Sequence, residues 1–260
     1  MLSMTRTSCR FGTLSDQIRT FRPNNGPYRA SMKPIGDPAN LYPPEPGLRN
    51  VQSSPSEQSV SPTAWKIGPA SAVLIGISVI VAVIARLGDN LEAIRFLFIT
   101  EDIESVNGLP FPEIMHGQVW RLLTPIFIHF GLVHLLFNMM WLKDLGTAIE
   151  QRLGVRTLLA LVVATGVLSN LGQCIFDGPL FGGMSGVVYG LFGFIWMMAH
   201  FDPASGFRMP KNTVILMVGW FFLCITGAIG PVGNFSHGVG LGVGVLWGFI
   251  AARRATVVPA

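Results

Sequence analysis

Charged residues are few in this chain: they make up 12% of its 260 residues, against about 25% in an ordinary soluble domain. Half of the residues are hydrophobic and the mean hydropathy is +0.51. A soluble globular class is therefore disfavoured, and long uncharged runs point to a membrane protein. The formal net charge is only +4, and no basic stripe with interleaved aromatics appears, so a nucleic-acid partner is excluded as a reading. Cysteine is equally sparse. Cys9, Cys174 and Cys224 are scattered without a Cys-x2-Cys spacing, which argues against a disulfide framework or a zinc site and leaves buried or idle thiols. No short basic segment runs directly into an apolar core, so no secretory signal peptide is expected.

Residues 1–65 are rich in Pro, Ser, Asn and Arg and show no apolar periodicity. Such a composition buries too little surface to offset chain entropy, and a disordered cytoplasmic tail is expected there. The first thirty residues hold five Arg and one acid, a faint likeness to an organellar transit peptide. Met32 is an alternative start.

Apolar runs begin at residue 69. A bilayer core of about 30 Å needs about 20 residues of helix, and six runs come near it: 69–85, 122–142, 157–176, 184–201, 213–230 and 237–252. Backbone polar groups in lipid must be satisfied within the segment, so these runs are expected to be helices. The fold class is all-α: a polytopic membrane protein with a six-helix domain over residues 66–256. With six spans, the tail, 143–156, 202–212 and the C-terminus fall on one side and hold 15 of the 18 Lys and Arg. The excess of positive charge places that side, and both termini, in the cytoplasm. The loop 86–121 falls on the other side with six acids and three bases. Its apolar stretches suggest an interfacial segment, with Trp120 and Arg121 as an anchor pair.

Polar residues inside such runs are costly and are functional candidates. The second run carries His129, His134 and Asn138, with Asn138 about sixteen residues into the run. The fourth begins "GGMSGVVYG", with Ser185 and Tyr189, and the sixth begins "SHGVGLGVG", with His237. In the proposed topology all three clusters lie toward the outer half of the bilayer. His134 and Asn138, four apart, share a helix face. Ser185, Gly186, Gly190 and Gly193 make one thin helix side, and Gly240, Gly244 and Gly248 make another. Small-residue stripes allow close backbone approach in lipid, and if these two face each other, Ser185 and His237 come within reach. A serine beside a histidine base is an activated nucleophile. Each residue also has a plainer reading: Ser185 and Tyr189 as packing, His237 as a cap, His134 and Asn138 as hydrogen bonds between helices, His116 and His200 as interface residues.

Taken together these residues resemble the rhomboid intramembrane serine proteases, over about residues 118–250. "VWRLLTPIFIHFGLVHLLFNMMWL" looks like the family's Trp-Arg motif followed by His-x4-His-x3-Asn. "LGTAIEQRLG", with Glu150 and Gly154, is similar to the stretch ending the second helix. "GGMSG" matches Gly-x-Ser-Gly, and "SHGVGLGVG" matches His-x2-Gly-x3-Gly, with Ser236 where a small Ala is common. The resemblance implies a serine-type endopeptidase cutting in or near transmembrane helices of protein substrates in the lipid bilayer. It implies Ser185 as nucleophile and His237 as general base, without a triad carboxylate. His134 and Asn138 would join the Ser185 N–H in stabilising the oxyanion, Tyr189 would support the base, and Gly183 would precede the nucleophile by two. No cofactor and no metal are implied. The loop 86–121 and the "PVGNFSH" segment would gate access. A bacterial inner-membrane location with the site open to the outside follows from the same resemblance, ahead of an organellar membrane.

Two other classes stand beside it. An inactive rhomboid-like binding protein for membrane clients would be expected to lack the Ser or the His, and both are present. A transporter or metal protein using His129, His134 and His237 would be expected to add carboxylate or thiolate ligands; the six runs carry no carboxylate, and their cysteines, Cys174 and Cys224, stand singly in other runs than these histidines.

Overall fold

A computed structural model describes residues 66–102, 111–228 and 232–257. The tail expected over 1–65 and part of the "PVGNFSH" segment lie outside these residues. Among the described residues every regular element is helical: eight α-helices and several 3₁₀ turns. The α-helices are α1 (Pro69–Ile84), α2 (Pro112–Met115), α3 (Leu132–Trp141), α4 (Thr147–Leu153), α5 (Val155–Asp177), α6 (Ser185–Phe201), α7 (Lys211–Ile225) and α8 (Asn234–Val257). A five-residue π-helical stretch, Leu142–Gly146, joins α3 to α4, so that one rod runs from Leu132 to Leu153.

Val155–Asp177 and Asn234–Ala255 are long and apolar enough to cross a bilayer, while Pro69–Ile84, Ser185–Phe201 and Lys211–Ile225 are shorter apolar helices. Helix α6 is the centre of the packing. Residues Gly186 to Ile195 are all buried, with α5 and α8 packed against the helix. Helix α7 is the reverse case, with Ile215, Leu216, Trp220, Phe222, Leu223 and Ile225 all exposed.

The second apolar run does not become one helix from residue 122. Pro125 sits in a 3₁₀ turn over Thr124–Phe127, and α3 starts only after Gly131, whose φ of +90° suits glycine. The Gly131 amide donates instead to the carbonyl of Leu87 at 2.8 Å. His129 therefore lies before the helix, and Asn138 is the seventh residue of α3 rather than the sixteenth of a longer one. Nor are Trp120 and Arg121 an anchor pair. Trp120 is exposed, but Arg121 is 1% exposed. Its guanidinium donates to Gln118 Oε1 at 2.7 Å, to the carbonyls of Arg95 at 3.1 Å and Phe98 at 3.0 Å, and to Glu101 Oε1 at 2.6 Å. Five donors in a planar fork suit a loop that lacks sheet or long helix to satisfy its carbonyls.

Glu113 ties the same loop. Burial by itself would raise its carboxyl, but the Glu101 amide, its own amide, the Thr100 hydroxyl and Arg121 together hold it below the ordinary 4.5. A depressed folded value means that its contribution is present above the ordinary range and is lost as pH falls through the lowered value. Protection of the Glu101 amide, corrected for intrinsic exchange, is accordingly expected to persist just below pH 4.5 and to fall only in more acidic buffer. Loss of protection at or above the ordinary value would contradict this.

Glu150 holds the start of α1. Its carboxylate accepts from the amides of Ala70 at 2.8 Å and Ser71 at 3.0 Å and from the Ser71 hydroxyl at 2.9 Å. A negative charge at a helix N-terminus also meets the positive end of the helix dipole. Pro69 at the first turn fits because it has no N–H to satisfy. One turn back on the rod, a Cβ on Gly146 would lie 2.9 Å from Ser71 Oγ, so the two helices meet closely there. Glu150→Ala leaves three donors without their acceptor and is expected to cost about 2 kcal/mol. Glu150→Gln, which keeps one acceptor oxygen, should cost less than half as much. Reversible unfolding in mixed micelles measures both, and equal losses would show that the oxygen kept by Gln holds nothing and that the stabilisation needs the full carboxylate.

Candidate active site

The segment between α5 and α6 carries the glycines that open the fourth apolar run. Gly183 has φ +131°, and a Cβ there would stand 2.8 Å from Cε1 and Nε2 of His134. Both the backbone and the space require glycine. Its amide donates to the carbonyl of Pro125 at 3.0 Å. The next amide, of Met184, donates to Nε2 of His129 at 3.4 Å, while His129 Nδ1 lies 3.1 Å from the carbonyl of Phe127. These contacts assign the proton of His129 to Nδ1 and make its Nε2 an acceptor. The turn before Ser185 is thus held from the 3₁₀ segment that precedes α3, and Ser185 opens α6 half-buried.

His237 is the fourth residue of α8 and is 4% exposed. Its ring lies 4.8 Å from that of Tyr189, tilted by 37°. The Tyr189 hydroxyl donates to the carbonyl of Met217 at 3.1 Å, and Phe221 meets the Tyr189 ring edge-on. Tyr189 therefore braces the His237 ring, at an angle rather than in a parallel stack. Nδ1 of His237 and Oδ1 of Asn234 are buried and lack a hydrogen-bond partner among the described residues.

Close approach of α6 and α8 places the two sequence clusters side by side. A Cβ on Gly186 would run into the Ser236 hydroxyl, one on Gly240 into the carbonyl of Gly186, and one on Gly244 into the carbonyl of Gly190. Gly186 follows Ser185 and Ser236 precedes His237, so the serine and the histidine stand at neighbouring positions across one contact. Among the described residues no hydrogen bond joins the Ser185 hydroxyl to the His237 ring; such bonds are often long before substrate arrives. The stripes are not fully matched glycine to glycine. Gly248 faces the carbonyl of Phe194, and Gly193 faces Leu241 and Val245.

His134 and Asn138 enter from α3 as its third and seventh residues. Because that helix begins at Leu132, both lie within its first two turns. His134 meets Gly183, and its ring is 5.1 Å from that of His129. Asn138 Nδ2 donates to the carbonyl of His134 at 3.0 Å, which leaves the second amide hydrogen for another acceptor. Among the described residues no cluster of three or more His, Cys, Asp or Glu could hold a metal ion.

Helix α5 supplies a side of the site that the motifs do not flag. Thr165 and Ser169 back onto Gly190 and Gly186. Gln173 Oε1 accepts from the Ser236 amide at 3.0 Å, and its Nε2 donates to Asp177 Oδ2 at 2.6 Å. Asn170 Nδ2 donates to the carbonyl of Leu122 at 2.9 Å. The spacing Thr165, Ser169, Gln173 is a signal, since i, i+4 polar residues mark one face of an otherwise apolar helix. His129 was also visible in the sequence, but its contact with the turn before Ser185 depends on the fold.

The Rhomboid domain profile matches residues 116–254. The chain is 39% identical over 147 residues to the Rhomboid protease GlpG of Salmonella paratyphi A, covering 56% of this chain and 53% of that one. It is 36% identical over 162 residues to the Rhomboid protease GlpG of Yersinia pestis, covering 61% of this chain and 58% of that one. The chain thus spans little more than half the length of the curated relatives it matches. With the profile covering over half of its residues, the chain belongs to the rhomboid family.

Proposed function

We propose that this protein is an intramembrane serine endopeptidase that hydrolyses a peptide bond in or near the transmembrane helices of membrane-protein substrates. The observation that carries the reading is the glycine-mediated contact between α6 and α8, with Ser185 and His237 on adjacent positions and Tyr189 bracing the ring. In the proposed reaction Ser185 Oγ attacks the scissile carbonyl carbon and His237 takes the hydroxyl proton on a ring nitrogen. The resulting oxyanion receives hydrogen bonds from the Ser185 amide, His134 and Asn138, donors that need no reorganisation as charge develops. Collapse breaks the C–N bond, and His237 returns the proton to the leaving amine. Water then attacks the acyl-serine with His237 as base, which releases the acid and restores the serine. The unpartnered Nδ1 of His237 supports a dyad without a carboxylate.

Counted as rods, the long helices α1, α3–α4, α5, α6, α7 and α8 number six, which supports the six-span topology with both termini cytoplasmic. In that topology Ser185, His237, His134 and Asn138 all lie near the outer ends of their helices, where water reaches them. A bacterial inner membrane is the proposed location. The relatives named Rhomboid protease support the protease class over a catalytically inactive binding protein.

A fluorophosphonate probe tests the reading economically. Detergent-purified protein should be labelled covalently, and Ser185→Ala should not. Cleavage of a helix-bearing reporter should proceed without ATP and survive chelators. Equal labelling of Ser185→Ala and the parent would place the reactive group elsewhere.

A further inference from the structure

At the far end of α6 from Ser185 lies a groove of about 980 Å³, bounded by α4, α6, the loop 202–210 and the start of α7. Its lining includes Arg152, Arg208 and Lys211 and no acidic residue. The acid of that loop, Asp202, is 7% exposed and caps the 3₁₀ turn by accepting from the Ser205 amide at 3.2 Å. Arg208 and Lys211 are exposed, while the Arg152 guanidinium lies 5.4 Å over the buried Phe207 ring. The rest of the wall is largely apolar, with Trp196 and Val214. Ile215, also in the lining, is 69% exposed on the outer face of α7. His200, fifteen residues along α6 from Ser185, is about 22 Å from it along the helix axis at 1.5 Å per residue. In the membrane placement proposed above, the groove opens at the cytoplasmic interface.

We propose that this groove binds one anionic phospholipid, its phosphate held by Arg152, Arg208 and Lys211 and an acyl chain lying along Trp196, Val214 and Ile215. Guanidinium forks and a lysine ammonium, beside apolar walls at the cytoplasmic interface, are the chemistry that such headgroups select. The volume decides against a free phosphate as the fitting occupant, because the space exceeds the anion many times over and its surplus is lined by hydrocarbon. The proposal rests on the membrane placement and is independent of the protease reading.

Trp196 is a built-in reporter. The full chain is reconstituted into vesicles of phosphatidylcholine carrying a fixed fraction of bromine-labelled lipid, either phosphatidylglycerol or phosphatidylcholine. The Trp196 signal is the difference between the parent and Trp196→Phe. At least threefold stronger quenching of that signal by brominated phosphatidylglycerol is expected, with the preference lost in the double variant Arg208→Ala, Lys211→Ala. Both substituted residues are exposed, and the circular dichroism and elution volume of the double variant serve as fold controls. Equal quenching of Trp196 by the two lipids overturns the proposal, as does a preference that survives in the double variant. Reversal of the preference by millimolar inorganic phosphate overturns it in favour of a free-anion site. Absence of quenching at every tryptophan with both lipids removes the membrane placement along with it, whereas quenching of other tryptophans without a Trp196 preference removes this site alone.

Discussion

Ser185→Ala is expected to lower single-turnover cleavage of a reporter in liposomes by at least about 10⁴-fold, and His237→Ala by a similar factor. Without Oγ no acyl-enzyme forms, and without the imidazole the hydroxyl keeps its proton; each loss disables the same step. The double variant should therefore be hardly slower than either single one, since residues that act as a unit are strongly non-additive. Any residual rate would reflect substrate positioning and the oxyanion donors, so His134→Ala in the parent should cost less, about 10²-fold. Two outcomes would sink the dyad: Ser185→Ala cleaving as well as the parent, or single losses that multiply in the double variant.

The second large effect concerns α8. Gly240→Ala and Gly244→Ala each direct a methyl group into a backbone carbonyl of α6, belonging to Gly186 and Gly190. A backbone atom cannot swing aside as a side-chain end can, so the helices must separate. Overpacking of this kind costs about 3 kcal/mol, and because the contact adjoins Ser185 and His237, activity should fall with stability. Gly242 supplies the control on the same helix: a Cβ there meets nothing within 4 Å. Gly242→Ala should be neutral or gain up to about 1 kcal/mol from reduced backbone freedom. Comparing unfolding midpoints of the three variants in one detergent decides the matter. A Gly244→Ala protein as stable as Gly242→Ala would show that the α6–α8 contact is looser than described.

The candidate site was largely legible in the sequence because its chemistry is carried by short local patterns. The spacing of His134 and Asn138, the glycines around Ser185 and the repeat from His237 to Gly248 each lie within one helix, where i, i+4 neighbours are fixed by helix geometry. The helix limits were less legible. The run 122–142 is mostly apolar in its first half, yet Pro125 and Gly131 divide it. Hydropathy does not register a turn whose backbone groups are satisfied by Leu87 and Asn170, far away in the chain. Arg121 misled for the same reason: beside Trp120 it has the look of an interface anchor, but its partners are carbonyls of Arg95 and Phe98.

By itself, then, the sequence determined the helical class, the order of the motifs and the small set of polar residues from which a site has to be built. Those follow from composition and from periodicities that a few neighbouring residues impose. Tertiary structure alone decided that α3 begins at Leu132, so that His129 stands before the helix, and that Gly240 and Gly244 lie against Gly186 and Gly190. It alone decided that Tyr189 meets His237, that α5 backs the site through Thr165, Ser169 and Gln173, and that Glu150 holds the start of α1. Each of these is a contact between residues distant in the chain, set by which helix faces can approach without a side chain between them, and no local pattern encodes that distance.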